Sequence, residues 1–172
     1  HCIILIKQLG IKKILINSFY LKEQIKEFVN NHNYDVEIKA IDDGDHILNT
    51  GGGILNLIDK SNDEDFLIFN PDTIWKKSYS NEIHKMTEIY FNQNLGNILL
   101  LVKKNLSFDK SLKGDFGLNN NLIDQTYKDY IYTGCQIINK SILKNKEINN
   151  FSITKVWTDQ LKNKKLYGFE SK

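Results

Sequence analysis

Apolar positions along the chain change period several times, and each change predicts an element. His1 to Leu9 reads as the end of a helix, with Gly10 as its stop. Ile14-Leu15-Ile16 is a short apolar strand. Leu21, Ile25, Phe28 and Val29 then recur at i, i+4, i+7 and i+8, one face of an amphipathic helix. Val36 to Ile41 alternates as a strand, and Gly51-Gly52-Gly53 opens a helical Ile54 to Ile58. Phe66 to Phe69 is a continuous apolar run ending at Asn70-Pro71-Asp72, as in a strand buried on both faces. Ile83, Met86 and Tyr90 stripe another helix, and Ile98 to Val102 is a second buried strand. After Lys104 the texture shortens: Gly114 to Leu118, Leu122 to Thr126 and Tyr130 to Ile138 predict strands parted by Asn- and Lys-rich turns. A last helix, 154–164, leads into a strand-like 166–170.

Strand and helix alternating four times is the pattern of right-handed crossovers. The expectation is one α/β domain over residues 1–172, with a mostly parallel mixed sheet flanked by helices and a β-rich second half. At 172 residues such a domain buries a core without metals or disulfides. A net charge of +2, spread along the chain, gives no footprint for nucleic acid or an anionic membrane. No apolar run approaches the ~18 residues of a membrane span, and no signal peptide precedes the first strand. The expected location is therefore cytoplasmic. Entry into a helical pattern at His1, and an end within a strand-like run at Lys172, lead us to expect a piece of a longer protein.

Composition narrows the chemistry. All 23 basic residues are lysine, and 21 residues are asparagine. With no arginine, a bound phosphate must be met by lysine, backbone N–H groups, a helix N-terminus or a metal.

In an open α/β sheet, ligands bind outside the carboxyl ends of the strands, and two segments stand there. Asn49-Thr50-Gly51-Gly52-Gly53-Ile54 places three glycines at a helix entrance, where backbone can approach a planar or anionic ligand with free N–H groups. Asn56 stands where a dinucleotide fingerprint needs its third glycine, and no Gly-Lys-Ser/Thr follows to make a P-loop. The second segment is Asn70-Pro71-Asp72-Thr73-Ile74-Trp75, whose Asp72 is placed to hold a divalent cation at the end of a buried strand. It begins like the Asn-Pro-Pro-aromatic motif of amino-group methyltransferases, but Asp72 replaces the second proline. Asp42, Asp43 and Asp45 read as a solvated turn, the four histidines lack ligand spacing, and Cys135 reads as a small core residue. No nucleophile–base arrangement emerges from spacing.

Taken in order, these segments resemble the sugar-1-phosphate nucleotidyltransferases. Ile16 to Ile25 looks like that family's second β–α unit, Thr50 to Ile54 like its Thr-Gly-Gly-Gly-Ile turn, and Phe66 to Trp75 like its strand ending in Asn-small-Asp before Trp. Gly114-Asp115-Phe116-Gly117, Tyr132 to Ile137, and Phe151-Ser152-Ile153 before Trp157 keep the family's order. The branch most similar is the N-acetylmuramate-1-phosphate uridylyltransferases, often labelled mannose-1-phosphate guanylyltransferase-like.

The resemblance implies a Rossmann-like, GT-A-like fold and Mg²⁺-dependent transfer of a nucleotidyl group from an NTP to a sugar 1-phosphate. It also implies a place in nucleotide-sugar biosynthesis, with peptidoglycan recycling for that branch. It assigns Asp72 to catalysis and the metal. Thr50, Gly51, Gly52, Gly53 and Asn70 fall to the nucleotide, and Gly114, Asp115, Thr133 and Gly134 to the sugar. Asn49 stands where the uridylyl branch usually carries Glu, and Pro71 where the family has Gly or Ser. The family's glycine-rich signature loop with its Arg and Lys would precede His1, and its second metal carboxylate would follow Lys172. By that comparison the domain is truncated at both ends, with a central strand unfilled. Transfer would then be impaired unless a complementing chain or a homo-oligomer completes it. The alternatives are a non-catalytic module or a decayed remnant.

Overall fold

The computed structural model describes residues 2–172; His1, the first residue of the expected N-terminal helix, lies outside the described residues. The chain runs α1 (Cys2–Gln8), β1 (Lys13–Ser18), α2 (Lys22–Asn31), β2 (Glu37–Asp42), α3 (Asn49–Asp59), β3 (Asp65–Phe69), α4 (Tyr79–Asn92) and β4 (Asn97–Lys103). It continues with β5 (Gly117–Asn119), β6 (Leu122–Asp124), β7 (Tyr130–Asn139), α5 (Ile153–Lys162) and β8 (Tyr167–Glu170). Every expected element forms, although the strand expected over 114–118 is shorter: Gly114 and Asp115 precede it and Phe116 contributes only an isolated bridge to Tyr130.

The α/β class stands and the sheet is mixed, but parallel pairing is scarcer than the crossover pattern predicts. β1 pairs with β2 in a two-stranded parallel sheet, separate from a six-stranded sheet of order β3-β7-β4-β8-β6-β5. Only β4 and β8 are parallel neighbours in the larger sheet. β7 lies between β3 and β4, antiparallel to both. The crossover through α4 does make β3 and β4 run the same way, but a strand from much later in the chain occupies the place between them. Periodicity reports which faces a strand buries and carries no record of such an insertion.

β4 shows the layering. Ile98, Leu99, Leu100 and Leu101 are all fully buried, and successive side chains point to opposite faces. Leu99 and Leu101 join Ile138, Ile153, Val156 and Trp157 under α3 and α5. Ile98 and Leu100 join Leu5, Ile83, Met86, Cys135 and Ile137 under α1 and α4. Leu100→Ala should lower stability by about 2–5 kcal/mol, read as a fall in the denaturation midpoint at unchanged slope. Tyr90 joins the layers' ends: its hydroxyl donates to Asp65 Oδ1 at 2.6 Å, and Asn139 Nδ2 donates to the same oxygen at 2.8 Å. Burial, with the Asp65 carboxylate beside it, pushes the Tyr90 phenol far above its ordinary range.

α3 crosses both sheets. Its end reaches the starts of β1 and β3, where Lys13 Nζ donates to Ser61 Oγ at 3.3 Å. Its first turns lie over the other ends, with Asn17 against Gly53 and Asn56 Nδ2 donating to Asp43 Oδ1 at 2.9 Å. β1 and β3 therefore run in the same direction, each from the end of α3 toward its first turns. Each has one edge unpaired by any described strand, and all five residues of β3 stay half-buried.

Candidate active site

The carboxyl end of β3 meets α3, the middle of β7 and the start of α5 around a cavity of about 250 Å³. Asn49, Thr50 and Ile54 come from α3, Asn70 from the end of β3, Tyr132 and Gln136 from β7, and Ser152 to Thr154 with Trp157 from α5. None of the lining residues is charged.

The glycine run has a different job from the one expected. Gly51 and Gly52 both donate their backbone N–H to Phe151 O, at 2.8 and 3.2 Å. The Thr50 N–H goes to Asn49 Oδ1 at 2.7 Å, so these donors at the entrance of α3 face protein acceptors. This corrects the expectation of free N–H groups. A Cβ on Gly51 would overlap the Phe151 ring, one on Gly52 would overlap the Asn149 carbonyl, and one on Gly53 would stand 2.9 Å from Asn17 Nδ2. All three glycines are buried. They let α3 press against the 149–151 backbone on one side and β1 on the other, and none of them lines the cavity. Thr50 does line it, while its Oγ1 accepts the Ile153 N–H at 3.0 Å.

The segment after β3 is held at both ends. Pro71 has no N–H to extend the ladder, so the chain turns there. Thr73 Oγ1 donates to Thr133 O at 3.0 Å, and Trp75 Nε1 donates to Asn70 O at 3.1 Å. The buried Trp75 ring stands edge-on to Phe69 and Tyr79. Opposite, the Gly134 carbonyl accepts the Asn70 N–H at 2.7 Å. Gly134 has φ +90°, and a Cβ there would come within 2.9 Å of Asn70 Cβ, so this position needs glycine. Asp72 stands exposed at the tip of this braced turn. Among the described residues no group of three or more His, Cys, Asp or Glu side chains is arranged to hold a metal. A single exposed carboxylate suits Mg²⁺, which keeps its waters and shares its remaining positions with substrate phosphates.

The sugar-side residues divide. Thr133 and Gly134 brace the Asp72 turn. Gly114 and Asp115 lie apart from the cavity: Gly114 has φ +78° beneath Lys128 O, and Asp115 Oδ2 accepts the Tyr132 N–H at 2.9 Å. A second cavity, about 760 Å³, lies between the end of β4 and the β5–β6 hairpin and touches neither Asp72 nor the glycine run. Its lysines are paired, Lys103 with Glu170 at 3.1 Å and Lys104 with Asp129 at 2.8 Å. The acidic turn is largely exposed, as expected of a solvated turn, and two of its carboxylates are engaged within the chain: Asp43 accepts from Asn17 and Asn56, and Asp42 pairs with Lys22. Cys135 is fully buried, as expected of a core residue.

Residue reading along the sequence missed Gln136, Trp157 and Tyr132 as cavity lining. Their motifs were visible, but no signal within them separates a cavity wall from a core strand.

No protein-family model matches the sequence and no curated protein matches it. Solved structures do. HddC from Yersinia pseudotuberculosis complexed with GMP-PN superposes with a TM-score of 0.73 at 18% identity, over 97% of this chain and 73% of that one. The inositol-1-phosphate CTP transferase from T. maritima gives 0.73 at 15% identity, over 99% of this chain and 71% of that one. Apo UDP-glucose pyrophosphorylase gives 0.70 at 15%, over 99% and 78%. At such identities the likeness establishes architecture: the chain has the Rossmann-like α/β fold of these proteins, a mixed sheet between helical layers.

Proposed function

We propose that this chain carries the acceptor side of a sugar-1-phosphate nucleotidyltransferase, catalysing NTP plus sugar 1-phosphate to NDP-sugar plus pyrophosphate. The observation that carries the reading is a braced, exposed Asp72 two residues beyond Asn70, which lines an uncharged cleft at the carboxyl end of β3. The likeness to an inositol-1-phosphate CTP transferase and a UDP-glucose pyrophosphorylase adds support. In this reading a phosphate oxygen of the sugar 1-phosphate attacks the α-phosphorus in line, and the bond from that phosphorus to the departing pyrophosphate breaks. The enzyme needs no side-chain nucleophile for this, only alignment and charge neutralisation. Mg²⁺, held by Asp72 and substrate phosphates, would supply that neutralisation. Thr73, Thr133 and Gly134 hold the Asp72 turn, and Asn49, Thr50 and Asn70 line the cleft beside it.

A thermal-shift titration with UTP, GTP, CTP and dTTP, each with and without Mg²⁺, tests the reading. At hundredfold excess over its Kd, the correct nucleotide should stabilise the chain by about 3 kcal/mol, and only with Mg²⁺. A cooperative melt that no nucleotide moves would count against it.

A second reading, a module completed by another strand, rests on the unpaired edges of β1 and β3 beneath α3. Open edges template pairing, so this reading expects sedimentation to show association that grows with concentration. A monomer at every concentration would sink it.

A further inference from the structure

Gln136 is 1% exposed, yet it lines the cavity. Its Oε1 accepts the Trp157 indole N–H at 3.1 Å. Because the indole nitrogen is a donor only, this bond fixes which end of the amide is which. The NH₂ is turned away from Trp157 and has no partner among the described residues. A cavity-facing amide donor that the protein leaves without an acceptor is free to meet a ligand oxygen there. We infer that Gln136 contacts substrate, donating a hydrogen bond to an oxygen of the neutral sugar ring of the sugar 1-phosphate; this rests on the nucleotidyl-transfer reading above.

The cavity's chemistry favours a sugar over the other parts of the substrates. Its lining carries no charge, and the N–H groups at the starts of α3 and α5 already face protein acceptors, including Thr154 N to Ser152 Oγ at 3.3 Å. A phosphate would therefore lie outside, toward Asp72. A nucleobase is flat and prefers a slot between parallel faces. Here Tyr132 and Trp157 meet edge-on, 72° apart with centroids at 4.9 Å. The polar groups instead converge from four elements, which suits hydroxyls spread around a puckered ring. Burial pushes the Tyr132 phenol far above its usual range, so it too stays a neutral hydrogen-bonding group. At about 250 Å³ the cavity is smaller than the ~300 Å³ lower bound for drug-sized ligands, which fits one ring rather than a nucleotide.

The test is ¹⁵N NMR of the full chain, with the Gln136 side-chain NH₂ pair identified by its disappearance in Gln136→Glu. That variant keeps an acceptor for Trp157, whose indole resonance then reports an intact fold. Glucose 1-phosphate, N-acetylglucosamine 1-phosphate, UTP, GTP and inorganic phosphate are titrated separately with Mg²⁺. A sugar 1-phosphate should move the Gln136 pair, and inorganic phosphate should not. Gln136→Glu should weaken that sugar phosphate at least roughly tenfold, while leaving nucleotide affinity within about twofold. If a sugar phosphate moves the amides around Asp72 but not the Gln136 pair, or if a nucleotide moves that pair instead, the inference falls and the nucleotidyl-transfer reading survives. If no ligand moves any cleft resonance, both fall together.

Discussion

Asp72→Ala abolishes the Mg²⁺-dependent part of nucleotide stabilisation and lowers nucleotidyl transfer by roughly three orders of magnitude, the scale of losing several kcal/mol of charge neutralisation. The expectation is sharp because the same substitution should leave the fold alone. Asp72 is exposed, and the hydrogen bonds that shape its turn belong to Asn70, Thr73 and Trp75. Surface changes of this kind shift stability within about ±0.5 kcal/mol. A melt without nucleotide should therefore match the parent's, while the shift with nucleotide and Mg²⁺ disappears. Asp72→Asn should behave alike, since the amide keeps the shape and loses the charge. Asp45→Asn, an exposed carboxylate in the 42–45 turn, serves as the control. A full Mg²⁺-dependent shift in Asp72→Ala would remove this residue from the metal's role and take the proposed chemistry with it.

How much of this was legible beforehand depends on the range of the interaction. β4 announces itself, because five consecutive apolar residues between polar ends need two covered faces, and Leu99 and Leu100 do face opposite layers. The order of motifs was enough to suggest the fold even at the 15–18% identity of the matched structures. What stayed hidden was pairing across long separations. Nothing in Phe66 to Phe69 says that its neighbour is Cys135 to Ile138 rather than β4. Nothing in three successive glycines says that the first two of their N–H groups meet a carbonyl about a hundred residues later. Gln136 is the clearest case: its role depends on Trp157 orienting its amide, and on a cavity whose walls come from four elements. The local sequence there reads only as a buried strand.

That long-range partner decides the sign of the last prediction. By local propensity alone Gly52→Ala should stabilise, because alanine favours a helix over glycine by about 1 kcal/mol. The packing opposes this. A Cβ at Gly52 would overlap the Asn149 carbonyl oxygen, with Leu48 Cβ also 3.1 Å away. A flexible side chain could swing aside, but a backbone carbonyl cannot, so α3 and the 149–151 segment must part. Parting them strains the Gly51 and Gly52 hydrogen bonds to Phe151 O, each worth about 1 kcal/mol, and adds about 1–3 kcal/mol of overpacking. The net expectation is a loss of about 2–4 kcal/mol, or a melting temperature lower by roughly 5–15 °C for a domain of this size. Gly96→Ala is the matched comparison: its Cβ would meet Ile142 Cδ1 at 3.0 Å, the end of a side chain that can turn away, so it should cost clearly less. The damage at Gly52 should also reach the cleft, because Ser152, Ile153 and Thr154 follow the displaced segment into the cavity wall. Gly52→Ala melting at or above the parent would mean that α3 does not lean on Asn149, and that the glycines are free for a ligand after all.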